Sequence, residues 1–181
     1  MAVFPDLLRE QSLASLTLDT ICQAGNAHRG SFYHAFQNKE EWAEAGLQYT
    51  WDQTRVRLDS VFSSTKTAWE RLDAYVEVLT SNQCSSHCVG GCTFFSLGVG
   101  LAQSEPSLRS CVLTVLEAYR GYFVEAVRAG QAEGTIRNGS PEELSRALFH
   151  LVEGALSLAR IEQKGEPIQD LHHSLRWLLQ P

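Results

Sequence analysis

Apolar residues recur along most of this chain at spacings of three and four, the period of an α-helix with one buried face. The clearest run is 107–133, where Leu108, Val112, Val115, Tyr119, Tyr122, Phe123, Ala126 and Val127 form one stripe over many turns. Gly134 follows at a position suited to a C-terminal cap. The pattern returns over 141–164 with Leu144, Leu148, Leu151, Val152, Ala155 and Leu158. Ser140-Pro141-Glu142-Glu143 opens that run with an N-cap, a first-turn proline and an acid three residues on. A last helix is predicted over 167–179 through Ile168, Leu171, Leu175 and Leu178. Earlier helices are predicted at about 2–11, 17–24, 28–34, 38–62, 66–83 and 92–103. Strand-like alternation is scarce, and Cys92-Thr-Phe-Phe-Ser-Leu is the one ambiguous patch. The expectation is an all-α protein of about nine helices. Because the first three are short, it divides into a small N-terminal module, 1–40, and a larger helical bundle, 41–181.

Residues 17–42 carry the most specific local pattern. Thr17 can cap a helix whose Leu18 and Ile21 face inward. Asn26 falls where the chain must turn, and Asn tolerates the left-handed conformation better than most residues. A second short helix holds Phe32 and Phe36 four apart on one face, leaving Arg29, Ser31, Tyr33 and His34 to point outward. Helix, tight turn and second short helix form a helix-turn-helix, whose second helix enters the major groove of DNA. Asn38 with Glu41 three residues on is a capping-box variant. Lys39 opposes the dipole of that helix, which makes sense if the terminus faces a phosphate. An ordinary helical hairpin fits the pattern alone about as well.

Charge supports DNA contact only locally. The chain of 181 residues has a formal net charge of −6, so it does not bind polyanions indiscriminately. Residues 1–50 hold three basic and six acidic residues, a balance of −3. From 20 to 39, however, there are two cations, His28, His34 and no acid. One such module predicts modest affinity and a need for two on one duplex. No run of 18 apolar residues and no signal-like N-terminus is present, so no membrane partner and a cytoplasmic location are expected. No H-E-x-x-H, G-x-S-x-G or phosphate-loop motif occurs, and the chain is not expected to be an enzyme or to carry a cofactor.

The segment from Leu18-Asp-Thr-Ile-Cys-Gln-Ala through Gly30-Ser-Phe-Tyr-His-Ala-Phe-Gln-Asn-Lys-Glu-Glu-Trp42 resembles the TetR family of bacterial transcriptional regulators. Gly30, Ser31, Phe32, Tyr33, Phe36, Lys39, Glu40 and Glu41 match that family's recognition-helix pattern, and the nine-helix plan matches as architecture. The resemblance implies a homodimeric regulator, most simply a repressor, that reads two half-sites of a double-stranded DNA operator roughly 34–36 Å apart. It also implies that a small-molecule effector held in the bundle releases the DNA. Carried over by position, Arg29, Ser31, Tyr33 and His34, with His28 at the start of the helix, become groove or phosphate contacts. Gly30 permits close backbone approach, and Thr17 and Lys39 face phosphates. Arg29 is the base-reading candidate, because a guanidinium bonds a guanine edge at two points. The sequence departs from the family in four places. Asn26 replaces the usual turn glycine, Ala27-His28 replaces Val-Ser, Ser12 stands where Gly is usual, and the basic N-terminal arm is not in this sequence.

Three further sets follow. Cys84, Cys88 and Cys92 are spaced by four with His87 beside them, which suggests packing, a thiol-based redox or electrophile sensor or, less simply, a metal site; no metal is expected, because the spacing is not that of most zinc sites. Trp69, Tyr75, Phe95 and Tyr119 are candidates to line an effector pocket. Leu151, Gly154, Ala155 and Leu158, with Leu171 and Leu175, are expected at a dimer seam, where small residues admit a partner helix. The alternative to a regulator is a helical dimeric scaffold with degenerate DNA binding.

Overall fold

The computed structural model describes residues 2–84, 91–100 and 106–181. The fold is all-α: the described residues form ten helical segments and no strand. These are α1 (Phe4–Glu10), α2 (Leu18–Ala24), α3 (Arg29–Ala35), α4 (Lys39–Val61) and α5 (Ala68–Cys84), then α6 (Thr93–Gly100), α7 (Pro106–Ala132), α8 (Pro141–Glu162), α9 (Glu166–Gln169) and α10 (Leu171–Leu179). Eight of the nine expected helices appear near their expected positions. The ninth is divided, with Asp170 between a single turn and α10. No helix is long and apolar enough to cross a membrane.

The helix ends follow the local chemistry. Thr17 accepts a hydrogen bond from the Thr20 amide at 3.2 Å. Ser140 does the same for Glu143 at 3.3 Å, with Pro141 in the first turn. Each satisfies an amide that the helix cannot pair internally. At α4 the Asn38 side chain accepts from the Glu41 amide at 2.8 Å, while the Glu41 carboxylate reaches back to the Gln37 amide at 2.6 Å. Asn26 takes the left-handed turn, at φ 47, that its side chain tolerates. Gly134 follows α7 at φ +70.

The chain forms two compact units, Met1–Arg55 with Thr93–Leu116, and Val56–Cys92 with Glu117–Pro181. In the first, Phe4, Leu8, Leu13, Leu16, Ile21, Phe32, Trp42 and Leu47 are buried. Phe4 meets Trp42 edge-on at 5.2 Å, and a β-carbon on Gly46 would lie 2.4 Å from the Phe4 ring. This core takes up the inward side chains of α2 and α3, Ile21 and Phe32. In the second, Leu72, Tyr75, Val76, Phe123, Leu148, Val152, Ile168, Leu171 and Leu175 are almost wholly buried, with α8 packing on both α9 and α10.

Candidate nucleic-acid interface and effector site

The first unit presents α3 with one face in and one face out. Phe32 is 6% exposed and points into the core of this unit, its ring centroid 5.4 Å from that of Phe36 at the helix end. His28, Arg29, Gly30, Ser31, Tyr33 and His34 are all exposed, Tyr33 to 61%. A β-carbon at Gly30 would meet nothing within 4 Å, so the backbone there is open to a close approach. Thr17 is also exposed, at the start of α2. These positions form the outward surface that the turn at Asn26 creates.

Two of the expected cations already have partners. Arg29 donates two parallel hydrogen bonds to Asp19, Nε to Oδ1 at 2.7 Å and Nη2 to Oδ2 at 2.6 Å. These bonds hold the Asp19 carboxyl below its ordinary range and the Arg29 guanidinium above its own. Both side chains are about two-thirds exposed (64% and 67%), so water competes for the pair and it is readily exchanged. The run from 20 to 39 looks free of acid in the sequence, yet Asp19 folds onto it. Lys39 is the second case. Its ammonium donates to the carbonyls of Leu13 at 2.8 Å and Leu16 at 3.3 Å. A cation at the start of α4, odd on dipole grounds, is explained by these two acceptors in the α1–α2 connection.

The second unit contains a buried polar cluster. Tyr75 on α5 and Tyr119 on α7 share a hydrogen bond between their hydroxyls at 3.1 Å. Rings surround them: Phe123 is 5.2 Å and Phe62 5.6 Å from Tyr75, and Phe149 is 6.5 Å from Tyr119. Burial pushes both phenols well above their ordinary range, so they stay protonated and can donate. Glu153 on α8 is 5% exposed. Burial pushes its carboxyl up to about 7, against a smaller opposing effect of a hydrogen bond from the Cys92 thiol. Its Oε2 has no hydrogen-bond partner. Gly91, at φ +68, turns the chain onto α8, where a β-carbon would lie 3.3 Å from Arg160 Cδ and 3.5 Å from the Leu156 carbonyl. That close approach delivers Cys92 to the acid.

Of the four expected pocket residues, Tyr75 and Tyr119 are brought together. Trp69 is engaged elsewhere in the same unit, donating to the Thr135 carbonyl at 3.2 Å with the Arg176 guanidinium 3.9 Å over its ring. Phe95 is a half-buried residue of α6 in the first unit. Of the three expected thiols, Cys92 is half-buried, whereas Cys88 and the Cys84 side chain lie outside the described residues. The sequence reading missed Glu153, although a signal was there. It sits four residues after Phe149 and three before Leu156, inside the apolar stripe of α8 where an acid is out of place.

The expected dimer seam needs correction at two positions. Leu171 and Leu175 are each 1% exposed within the single chain, so they hold α10 onto the chain's own core and offer no surface to a copy. The apolar residues that do face outward are Leu158, Ile161 and Trp177, the last 83% exposed. Leu151 and Ala155 are half-exposed, and Gly154 has open space where a β-carbon would be. A hollow of about 470 Å³ between α8 and α10 is lined by Ala147, Leu151, His173, Ser174, Trp177 and Leu178.

Comparison with known proteins places this geometry. The family model for the tetracyclin repressor-like C-terminal domain matches residues 68–175. The transcriptional regulator AcuR of Cereibacter sphaeroides is 27% identical over 164 residues, covering 89% of this chain and 74% of AcuR. The transcriptional repressor NemR of Escherichia coli is 22% identical over 172 residues, covering 94% of this chain and 86% of NemR. Among solved structures, a regulatory protein TetR from Rhodobacter sphaeroides superposes with a TM-score of 0.90 at 24% identity, over 98% of this chain and 95% of that one. NemR in its reduced form gives 0.84 at 20% identity, over 98% and 94%. The matched model spans more than half of the chain, and the chain belongs to the TetR-like family of transcriptional regulators.

Proposed function

We propose that this chain is a homodimeric, ligand-responsive repressor that binds operator DNA through α3 and releases it when a small molecule occupies the second unit. The observation that carries the reading is the outward face of α3. Six neighbouring positions, His28 to Ser31 with Tyr33 and His34, are exposed on a helix anchored by buried Phe32. Arg29 reads a base edge and Tyr33 bonds a phosphate. Asp19 keeps the guanidinium extended until DNA replaces it. Thr17 lies at the phosphate-facing end of α2, and Lys39 serves mainly as a tie between α4 and the α1–α2 connection. The DNA-binding module is residues 1–40, and the effector and dimer functions belong to 41–181.

The dimer follows from the apolar face of α8 and α10. Trp177, 83% exposed, lines a hollow with Leu151, and Leu158 and Ile161 stand exposed further along α8, an apolar face that monomers rarely leave uncovered. The effector site is the polar cluster of Tyr75, Tyr119 and Glu153 within an aromatic wall, the combination of apolar lining and few polar groups that small-molecule sites share. The test is a gel shift with DNA from upstream of the protein's own coding sequence, using the wild type, Arg29→Ala and Tyr33→Ala. Loss of the shift in both variants, with unchanged circular dichroism, supports the reading. A wild type that fails to shift this DNA at low salt overturns it in favour of a scaffold.

A further inference from the structure

The permanent cations at the outward face of the first unit are committed within the chain. Arg29, the one arginine of α3, is matched by Asp19, and Lys39 is held by the Leu13 and Leu16 carbonyls. Neutralisation of phosphates supplies much of the affinity of a protein for duplex DNA. A face whose fixed charges cancel needs a further source of cations. His28 and His34 are in place to supply it. Both are exposed, and neither ring has a hydrogen-bond or ion-pair partner among the described residues. His28 precedes α3 without capping it, and His34 lies in its last turn. At helical rise, six residues separate the two positions by about 9 Å along the axis and about a third of a turn around it. That spacing suits two backbones bordering a major groove about 12 Å wide.

We propose that His28 and His34 bind operator phosphates as imidazolium ions, so that DNA binding takes up protons and the operator is held more tightly as pH falls from 8 to 6. The inference rests on the reading of α3 as the DNA-binding helix, and gives that contact a pH response. A proton from solvent adds to the bare ring nitrogen, and the ring then donates N–H to a phosphate oxygen.

The neighbouring charges do not supply the same response. Asp19, drawn below its ordinary range by its hydrogen bonds from Arg29, stays ionised across this interval, as does Arg29. On α2, packed against α3, the other titratable group is buried Cys22. Tyr33 is the other on α3 itself. In the first turn of α4, Lys39 is tied to its two carbonyls, Glu41 accepts from the Gln37 amide, and Glu40 stands half-buried between them. Imidazole is the side chain whose ordinary titration falls between pH 5 and 8.

A charged ring on a phosphate is favoured over a neutral one by about tenfold, the size of one charge-assisted hydrogen bond. For an imidazole of ordinary basicity, that preference tightens binding about sixfold between pH 8 and pH 6. One such ring in each copy of a dimer gives about thirtyfold, and two in each copy about a thousandfold.

The test is fluorescence anisotropy of the full chain on a labelled duplex from upstream of its own coding sequence, at pH 6, 7 and 8 and at several salt concentrations. Wild-type affinity should rise at least about thirtyfold from pH 8 to pH 6. The dependence on salt should be steeper at pH 6, by up to about 0.9 in the logarithmic slope for each ring. His28→Gln with His34→Gln should bind equally at pH 6 and pH 8. His28→Arg with His34→Arg should also be indifferent to pH, and at pH 8 should bind more tightly than the wild type. Circular dichroism confirms that both variants fold. A wild-type affinity that does not change with pH overturns the proposal and leaves the regulator reading standing. So does a pH response that survives in the glutamine variant, which would place the titration elsewhere, for example at Glu153. A pH response without any change in salt slope also overturns it, because the rings would then act on the fold and not on phosphate. If the wild type binds DNA at no pH, even at low salt, the regulator reading fails and the proposal with it.

Discussion

Replacing Glu153 by Gln should change how stability depends on pH. An acid whose folded value is raised holds its proton in the folded state where the unfolded chain has released it. Stability is therefore greatest below the unfolded value, falls as pH climbs, and bears the full penalty above the folded value. For Glu153 the window runs from the ordinary 4.5 to about 7. At about 1.4 kcal/mol for each pH unit, that window corresponds to about 3 kcal/mol. The residue is 5% exposed, so little solvent screening reduces it. The phenols that face it stay protonated across this range and add no titration of their own. Urea unfolding followed by circular dichroism, at pH 5, 6, 7 and 8 and one protein concentration, would give the difference between wild type and Glu153→Gln. Other ionising groups cancel in that difference. It should move by about 3 kcal/mol in favour of the variant between the ends of the series, or about 6–12 °C in Tm for a chain of this size. Repeating the comparison with Cys92→Ser removes the thiol as a source of the slope. A difference that stays flat with pH would show that the carboxyl reaches water, and would refute the reasoning.

Other perturbations test other parts of the fold. Asn26→Ile places a β-branched side chain at φ 47 and should cost about 1–2 kcal/mol in thermal unfolding, while Asn26→Gly should cost nothing. Lys39→Met removes the donor from the Leu13 and Leu16 carbonyls. It should lower stability by about 1.5–3 kcal/mol and leave the salt dependence of DNA binding unchanged, whereas a phosphate contact would reduce that slope by about one. Asp19→Asn frees the Arg29 guanidinium and should tighten operator binding in fluorescence anisotropy; weaker binding would show that Asp19 positions the arginine for DNA. Trp177→Lys with Leu158→Lys should convert a dimer to a monomer in sedimentation velocity, with the helix content unchanged.

How far the sequence was legible depended on whether a signal was local. Helix periods, the caps at Thr17, Asn38 and Ser140, and the left-handed turn at Asn26 are decided within a few residues, and they appear in the structure as read. The interruption at Asp170 was not legible. Ile168, Leu171 and Leu175 keep the same spacing of three and four whether or not the helix breaks between them. The burial of Leu171 and Leu175 was lost for a related reason, since apolar spacing shows that a face is covered but not whether the cover is the same chain or a copy. Partner choice was hidden most completely. Asp19 and Arg29 are ten residues apart, and Lys39 lies 23 and 26 residues from its acceptors. Only the fold brings such groups together.

The two candidate sites differ in a way that suits a switch. At α3 the Arg29–Asp19 pair is exposed, and an exposed pair is worth little net, so a competing anion can displace Asp19 from Arg29 without a large penalty. In the second unit the energy is stored inside. A ligand that satisfies Glu153 Oε2 removes part of a penalty of about 3 kcal/mol. Coupling between sites in regulators typically amounts to about 1–3 kcal/mol, so one buried carboxyl is large enough to supply it. The coupling requires only that the ligand-bound cluster favour a conformer in which the two copies of α3 no longer match the operator. By reciprocity, DNA must weaken the ligand by the same factor.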